Sequence, residues 1–300
     1  MKAMPEPPLS TVQRFLGRLR EPSASSRGAV RLDDAVFLAK AIESGENPLA
    51  IANETSGATL LILAAELNGV ACLKLLLPIS DAKATLFDGS NALFCAAAAG
   101  HAECVALLAG PCDPSAVNRA GETPLVAAVR AASLPCVEAL LPFGGIDRLT
   151  QRGKSALMIA AEQNNASLVR LLLQNGANPN LDGAHGLNAL MWAASASALD
   201  AVEALLPGTD LSSRSQYGRT AFELAAERDD WSCMDLLASR SDAKAVELAF
   251  LDGGAERMPR WAALRERCVL AAEAGLPGPP ESEADEAPPS PLARTPRTRL

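Results

Sequence analysis

The amino-acid sequence predicts an all-α solenoid of helix–turn–helix units with short loop fingers. Two observations carry this. The 300-residue chain repeats itself about every 32 residues between positions 57 and 240, and a fixed period of 20–50 residues is the signature of stacked repeats. Its composition is 49% hydrophobic but only 4% aromatic, with seven Phe, three Trp and a single Tyr. A core of that kind must be filled by Leu, Ala, Val and Cys. That suits close-packed helices better than a sandwich or barrel rich in aromatic and β-branched residues.

The register is set by six glycines: Gly57, Gly89, Gly121, Gly153, Gly186 and Gly218. The segments they open read GATLLILAA, GSNALFCAA, GETPLVAAV, GKSALMIAA, GLNALMWAA and GRTAFELAA, at intervals of 32, 32, 32, 33 and 32 residues. A polar break follows each, then CLKLLL, CVALLA, CVEALL, LVRLLL, AVEALL or CMDLLA. The first segment of each copy predicts a short helix whose alanine pair (Ala64-Ala65, Ala96-Ala97, Ala160-Ala161, Ala193-Ala194, Ala225-Ala226) lets neighbours approach closely. Thr59, Thr123, Ser155 and Thr220 stand where a side-chain oxygen caps that helix. The second segment predicts a helix packing its leucine stripe on the next copy, stopped by Pro78, Pro142 or Pro207. The repeated glycine is expected at positive φ in a tight turn.

Outside the repeats, the segment 32–56 reads as a degenerate leading repeat, with a helix over Ala35–Ile42 and Gly45-Glu46-Asn47-Pro48 echoing Gly176-Ala177-Asn178-Pro179. Residues 1–31 form a basic, mostly flexible segment, with six Lys or Arg against Glu6 and Glu21. Within it, residues 10–20 (STVQRFLGRLR) are amphipathic. They fit contact with anionic lipid or an acidic partner, docking on the leading repeat, or no structure of their own. Residues 241–275 read as C-terminal capping helices, with Trp261 and Leu264 as the expected buried contacts. Residues 276–300 are Pro-rich, charged and too poor in large apolar groups to repay ordering. They carry a P-x-x-P match at Pro288–Pro291 and two Ser/Thr-Pro pairs, Ser290-Pro291 and Thr295-Pro296.

Chemistry is thinly supplied. Two histidines serve the whole chain, and His185 has no nearby Cys or second His to make a metal site. Cys72, Cys104, Cys136 and Cys233 all fall fifteen residues after their glycine, where Leu168 and Ala201 stand in the other copies. That marks a compact core position rather than a redox or metal set. Cys95, Cys112 and Cys268 show no CxxC spacing, and seven cysteines, an odd number, point to a reducing, cytoplasmic setting with nuclear or cytoskeletal association also open. The acidic group Glu227, Asp229 and Asp230 reads as a solvated helix end. No P-loop, HExxH, GxSxG or dinucleotide fingerprint occurs, so no enzyme, cofactor or metal is expected. A net charge of −8 argues against nucleic acid as the main partner. No apolar run approaches the roughly 18 residues of a membrane span, and no apolar stretch near residue 1 reads as a secretory signal.

The repeat wording resembles the ankyrin family, whose pattern is roughly G-x-T-P-L-H-x-A-A, then V-x-x-L-L and G-A-D/N. The likeness is clearest at Gly121–Ala128 and Leu171–Asn180. The ALM…AA and GHAECV wording is similar to greatly expanded protist ankyrin families, some of which carry a kinase domain; no Gly-rich loop, HRD or DFG set is present here. This chain departs from the pattern at its His, replaced by Ile62, Phe94, Val126, Met158, Met191 or Glu223, and at its Pro, kept only as Pro124. The hydrogen bonding of that turn must therefore be lost or replaced. His101, in GHAEC, matches the family's Gly-His turn between helices and is expected to be structural.

The resemblance implies a non-enzymatic scaffold that binds a protein partner on its concave fingertip and inner-helix face. Carried onto this chain, the fingertips are Phe87, Asp88 and Ser90; Arg119 and Glu122; Gln151, Arg152 and Lys154; His185 and Leu187; then Tyr217 and Arg219. The inner-helix ends are Glu66, Arg130, Glu162, Gln163, Glu227 and Arg228. Phe87, Leu187 and Tyr217 are expected to be exposed anchors, and Arg119, Arg152 and Arg219 a basic stripe facing an acidic partner segment. The alternative is a regulatory adaptor whose Pro-rich tail is read by SH3-type domains or proline-directed kinases.

Overall fold

Helix starts in this chain are written into the residue before each apolar run. The computed structural model describes residues 24–31, 33–44, 51–53, 55–228 and 230–238. The inner helices are α3 (Leu60–Glu66), α5 (Ala92–Ala99), α7 (Pro124–Arg130), α9 (Ala156–Glu162), α11 (Ala189–Ser195) and α13 (Ala221–Glu227). Thr59, Thr123, Ser155 and Thr220 each accept a hydrogen bond from the backbone N–H three residues on, as expected. Asn91 and Asn188 do the same in the two copies that lack Ser or Thr there. Each such cap contributes about 1 kcal/mol, which matters in helices of only seven or eight residues that could not hold alone.

The outer helices are α4 (Val70–Leu76), α6 (Ala102–Leu108), α8 (Leu134–Leu140), α10 (Ala166–Gln174), α12 (Leu199–Leu205) and α14 (Trp231–Ala238). α4, α8 and α12 end one or two residues before Pro78, Pro142 and Pro207, and short 3-10 turns follow the latter two helices at Leu141–Phe143 and Leu206–Gly208. Each inner helix packs against the next inner helix, and on the outer side α4 packs against α6, α6 against α8 and α10 against α12. The first alanine of every pair is fully buried at this seam. On the outer helices Leu73, Leu76, Leu108, Leu140, Leu172 and Leu205 are buried, each contributing about 2 kcal/mol of apolar transfer.

Neighbouring copies are also joined at the turn between inner and outer helix. There Asp33, Asn68, Ala132, Asn164 and Ser197 adopt positive φ. The Asp33 carboxylate accepts from the N–H groups of Ala71 and Cys72 on α4, and Asn164 Oδ1 accepts from Ala201 N on α12. One copy thereby caps the outer helix of the next. His101 Nε2 lies 3.0 Å from the carbonyl oxygen of Glu66, tying its copy back to the end of the preceding inner helix.

The leading pair differs from its expected boundary. Helix α2 (Ala35–Glu43) coincides with the helix expected there, but its partner α1 (Ala24–Arg31) lies inside the segment drawn as 1–31. α1 packs on α3, and α2 on α4, so this pair occupies a repeat's place. Ala29, Val30 and Leu38 supply its buried contacts. The polar residues Ser25, Ser26 and Arg27 in the first half of α1 had masked its helical pattern. The first finger closes as a short antiparallel pair, β1 (Ile51–Asn53) with β2 (Ala58–Thr59), a local departure from an otherwise helical architecture. Residues 10–20, the 45–48 turn, the capping segment 241–275 with Trp261 and Leu264, and the tail 276–300 lie outside the described residues. Among the described residues no helix is long and apolar enough to cross a membrane.

Candidate functional site

The fingers are built from the backbone outward. All six repeat glycines have positive φ, between 66° and 87°. Buried hydroxyls and a half-buried amide fix the turns around them. Asn118 Oδ1 accepts from the N–H groups of Ala120 and Glu122, Thr150 Oγ1 from Lys154 N, and Ser215 Oγ from Arg219 N. The second finger has Leu86 at that place and uses Asp88 instead, whose two oxygens receive Ser90 N and Ser90 Oγ at 2.9 and 3.0 Å. These positioning residues escaped the sequence reading. Their signal was a polar residue three before each glycine, at Asn118, Thr150 and Ser215.

Backbone bonds then stitch each finger to its neighbour. Phe87 N donates to Ser56 O, Arg119 N to Asp88 O, Gln151 N to Ala120 O, Ala184 N to Gly153 O and Gln216 N to His185 O. The one 33-residue interval is absorbed inside this ladder. Its donor keeps register, while the acceptor moves from the residue before the glycine to Gly153 itself. A Cβ on Gly153 would lie 2.7 Å from Ala184 N, and one on Gly183 would lie 2.5 Å from Gly153 O and 2.6 Å from Met158 Sδ. The joint is glycine against glycine because nothing larger fits.

Two of the His replacements take over that residue's turn bonding. Glu223, only 5% exposed, accepts from Thr220 N at 2.6 Å and from Thr220 Oγ1 at 3.2 Å. Met158 Sδ accepts weakly from Ser155 N at 3.4 Å.

Three of the six copies tie the fingertip to the end of their own inner helix by an ion pair. Glu122–Arg130 closes at 2.9 Å, Lys154–Glu162 at 2.6 Å and Arg219–Glu227 at 3.2 Å. Lys154 also sits 3.6 Å above the Trp192 ring of the following copy, a cation–π contact. Trp192 is an aromatic on this face that the sequence reading passed over. Its signal was size, since Leu63, Cys95, Ala127, Ile159 and Leu224 hold the same place in other copies. Gln163 Nε2 donates to Arg130 O of the preceding copy.

Of the expected anchors, Phe87 is 56% exposed and Tyr217 68%, whereas Leu187 is half-buried. His185 is exposed at φ +60° and lies 3.4 Å through Nδ1 from the Tyr217 hydroxyl. Arg119, Arg152 and Arg228 are exposed and enter no ion pair among the described residues. The expected stripe is thus altered, because Arg219 is engaged by Glu227. Glu66 presents its side chain to solvent.

The thiols follow from the core. Cys72, Cys95, Cys104, Cys112, Cys136 and Cys233 are all buried and unpaired. Burial, aided by nearby carboxylates, pushes Cys72, Cys95 and Cys233 up to about 12 and Cys104 to about 11. Burial, with a smaller contribution from Asp81, outweighs a backbone hydrogen bond at Cys112, which reaches about 11, and burial raises Cys136 against the Ser133 hydroxyl. Thiols held protonated are poor nucleophiles and poor metal ligands. Among the described residues no group of three or more His, Cys, Asp or Glu is placed to hold a metal ion.

The comparisons with known proteins agree with this geometry. The family model for ankyrin repeats matches over residues 29–118, 106–183 and 157–247. The chain belongs to the ankyrin-repeat family. Solved ankyrin structures align at 26% identity over 73% of this chain and 99% of theirs. They include the ankyrin repeat domain of Bcl-3, described as a unique member of the IkappaB protein family, at a TM-score of 0.63. The human ASB11 ankyrin repeat domain aligns at 0.64. Ankyrin repeats generally mediate protein–protein interaction and form a non-catalytic scaffold.

Proposed function

We propose that this ankyrin-repeat chain is a non-enzymatic interaction scaffold whose protein partner lies along the fingertips and inner-helix ends of its six repeats. One observation carries the reading. Phe87 and Tyr217 are largely exposed aromatics held on fingertips that a backbone ladder fixes to their neighbours. An exposed aromatic on a flexible loop loses entropy when it binds, while one on a pre-positioned turn does not. Aromatic and arginine side chains are the groups that most often carry interface energy. Phe87, Asp88, Arg119, Glu122, Arg152, Lys154, His185, Leu187, Tyr217 and Arg219 form the fingertip row. Glu66, Arg130, Glu162, Gln163, Glu227 and Arg228 form the inner-helix row. Six free buried thiols fit a reducing compartment such as the cytoplasm.

The test is a proximity-labelling or pull-down survey comparing wild type with the triple variant Phe87→Ala, Arg152→Ala, Tyr217→Ala. All three side chains are exposed, so the variant should keep its far-UV spectrum. Loss of a specific set of partners supports the face; an unchanged set refutes it.

A further inference from the structure

The charge on this face is opposite to that of the chain. The protein carries a net charge of −8, yet the fingertip and inner-helix rows of repeats three to six hold Arg119, Arg130, Arg152, Lys154, Arg219 and Arg228 against three carboxylates. Those carboxylates, Glu122, Glu162 and Glu227, are each consumed by an ion pair. At the finger bases Arg214 lies 3.9 Å from the buried Glu223 carboxylate, and Asp182 is exposed. What remains is Arg119, Arg152 and Arg228, all exposed and in no ion pair among the described residues.

From this segregation we infer that the partner is an extended acidic peptide segment laid across repeats three to six. The inference rests on the interaction face proposed above and names its chemistry. Spacing supports an extended strand. Stacked helices lie about 8–10 Å apart and an extended peptide rises about 3.3 Å per residue, so one repeat matches about three residues. Arg119 and Arg152 belong to adjacent fingers, joined through Gln151 N and Ala120 O, and call for carboxylates three residues apart. Arg228 stands two repeats further on, which calls for another about six residues beyond. Arginine presents a planar fork to each carboxylate. Trp192, capped by Lys154, in the fifth repeat and Tyr217 in the sixth supply apolar surface beneath the same segment.

The experiment uses the full chain and a labelled ten-residue peptide with Asp at positions 1, 4, 7 and 10 and Ala or Ser between. Fluorescence anisotropy should show binding at low ionic strength that weakens steeply with added salt. Arg119→Glu, Arg152→Glu and Arg228→Glu together should weaken it by at least about tenfold. The charge-matched variant Lys74→Glu, Lys83→Glu, Arg170→Glu, which alters cations off this face, should leave it within about twofold. A peptide with Asn for Asp should not bind. Absence of binding to wild type, equal loss in both variants, or salt-independent binding overturns the inference. A chain that captures a partner through positions 87 and 217 yet ignores the acidic peptide overturns the chemistry while leaving the face in place. Failure of the face itself is read separately, by the unchanged partner set of the alanine variant.

Discussion

Gly153→Ala should cost far more than Gly218→Ala, although both glycines open the same finger turn at similar φ, 66° and 76°. The left-handed backbone charges any alanine about 1–2 kcal/mol, and both variants lose that much. At Gly218 nothing lies within 4 Å of the added methyl, so the loss stops there. At Gly153 the methyl would sit 2.7 Å from Ala184 N and 2.9 Å from Ala184 Cβ. Backbone cannot swing aside as a flexible side chain can, and the bond from Ala184 N to Gly153 O, 2.7 Å long, would be disrupted. Forced overpacking adds about 1–3 kcal/mol. The difference between the variants should therefore be about 2 kcal/mol, or about 4–8 °C in Tm for a domain of this size. Thermal denaturation followed by far-UV circular dichroism measures it, with urea titration to check that the slope m is unchanged. Equal losses in the two variants would refute the claim that the 33-residue copy is absorbed at a glycine–glycine joint.

Other consequences can be checked alongside. Glu223→Ala leaves Thr220 N without its acceptor in a buried site and should cost about 1–3 kcal/mol, whereas Glu223→Gln keeps an acceptor and should cost less, both read by urea unfolding. The six described thiols should resist alkylation at pH 8 until denaturant is added, as peptide mass mapping would show. Their folded pKa values are raised above the unfolded value of about 8.5. The protonated form is thus favoured in the native state, and the stability this supplies is intact below about pH 8.5 and falls as pH rises towards 11–12. A double-mutant cycle on Arg219 and Glu227, both substantially exposed, should return less than about 1 kcal/mol of coupling in stability.

The scaffold was legible because each of its parts is a local rule repeated in register. A cap at Thr59 or Ser155, an alanine pair at the seam and a compact residue at Cys72, Cys104, Cys136 and Cys233 are visible in single segments and certain when stacked. What escaped depends on contacts between copies. That Lys154 rests on Trp192 of the next copy, or that Asp33 caps α4, involves residues more than thirty apart and leaves no local pattern. The helix at Ala24–Arg31 was hidden for another reason. Among its described side chains the buried ones are the adjacent Ala29 and Val30, which show no period. The positions of the finger turns and inner-helix ends were legible, since each follows from the repeat register. Its electrostatics were not, because Arg219 reads as a free cation until Glu227 is placed beside it.

The proposed interaction face is tested most directly by site-specific photo-crosslinking of the full chain with its captured partner. The photoreactive residue is placed in turn at 87, 152, 185 and 217 on the fingertips and at 103, 138, 170 and 203 on the outer helices. The account predicts cross-linked partner from the first set and none above background from the second. Cross-links confined to the outer helices would contradict it.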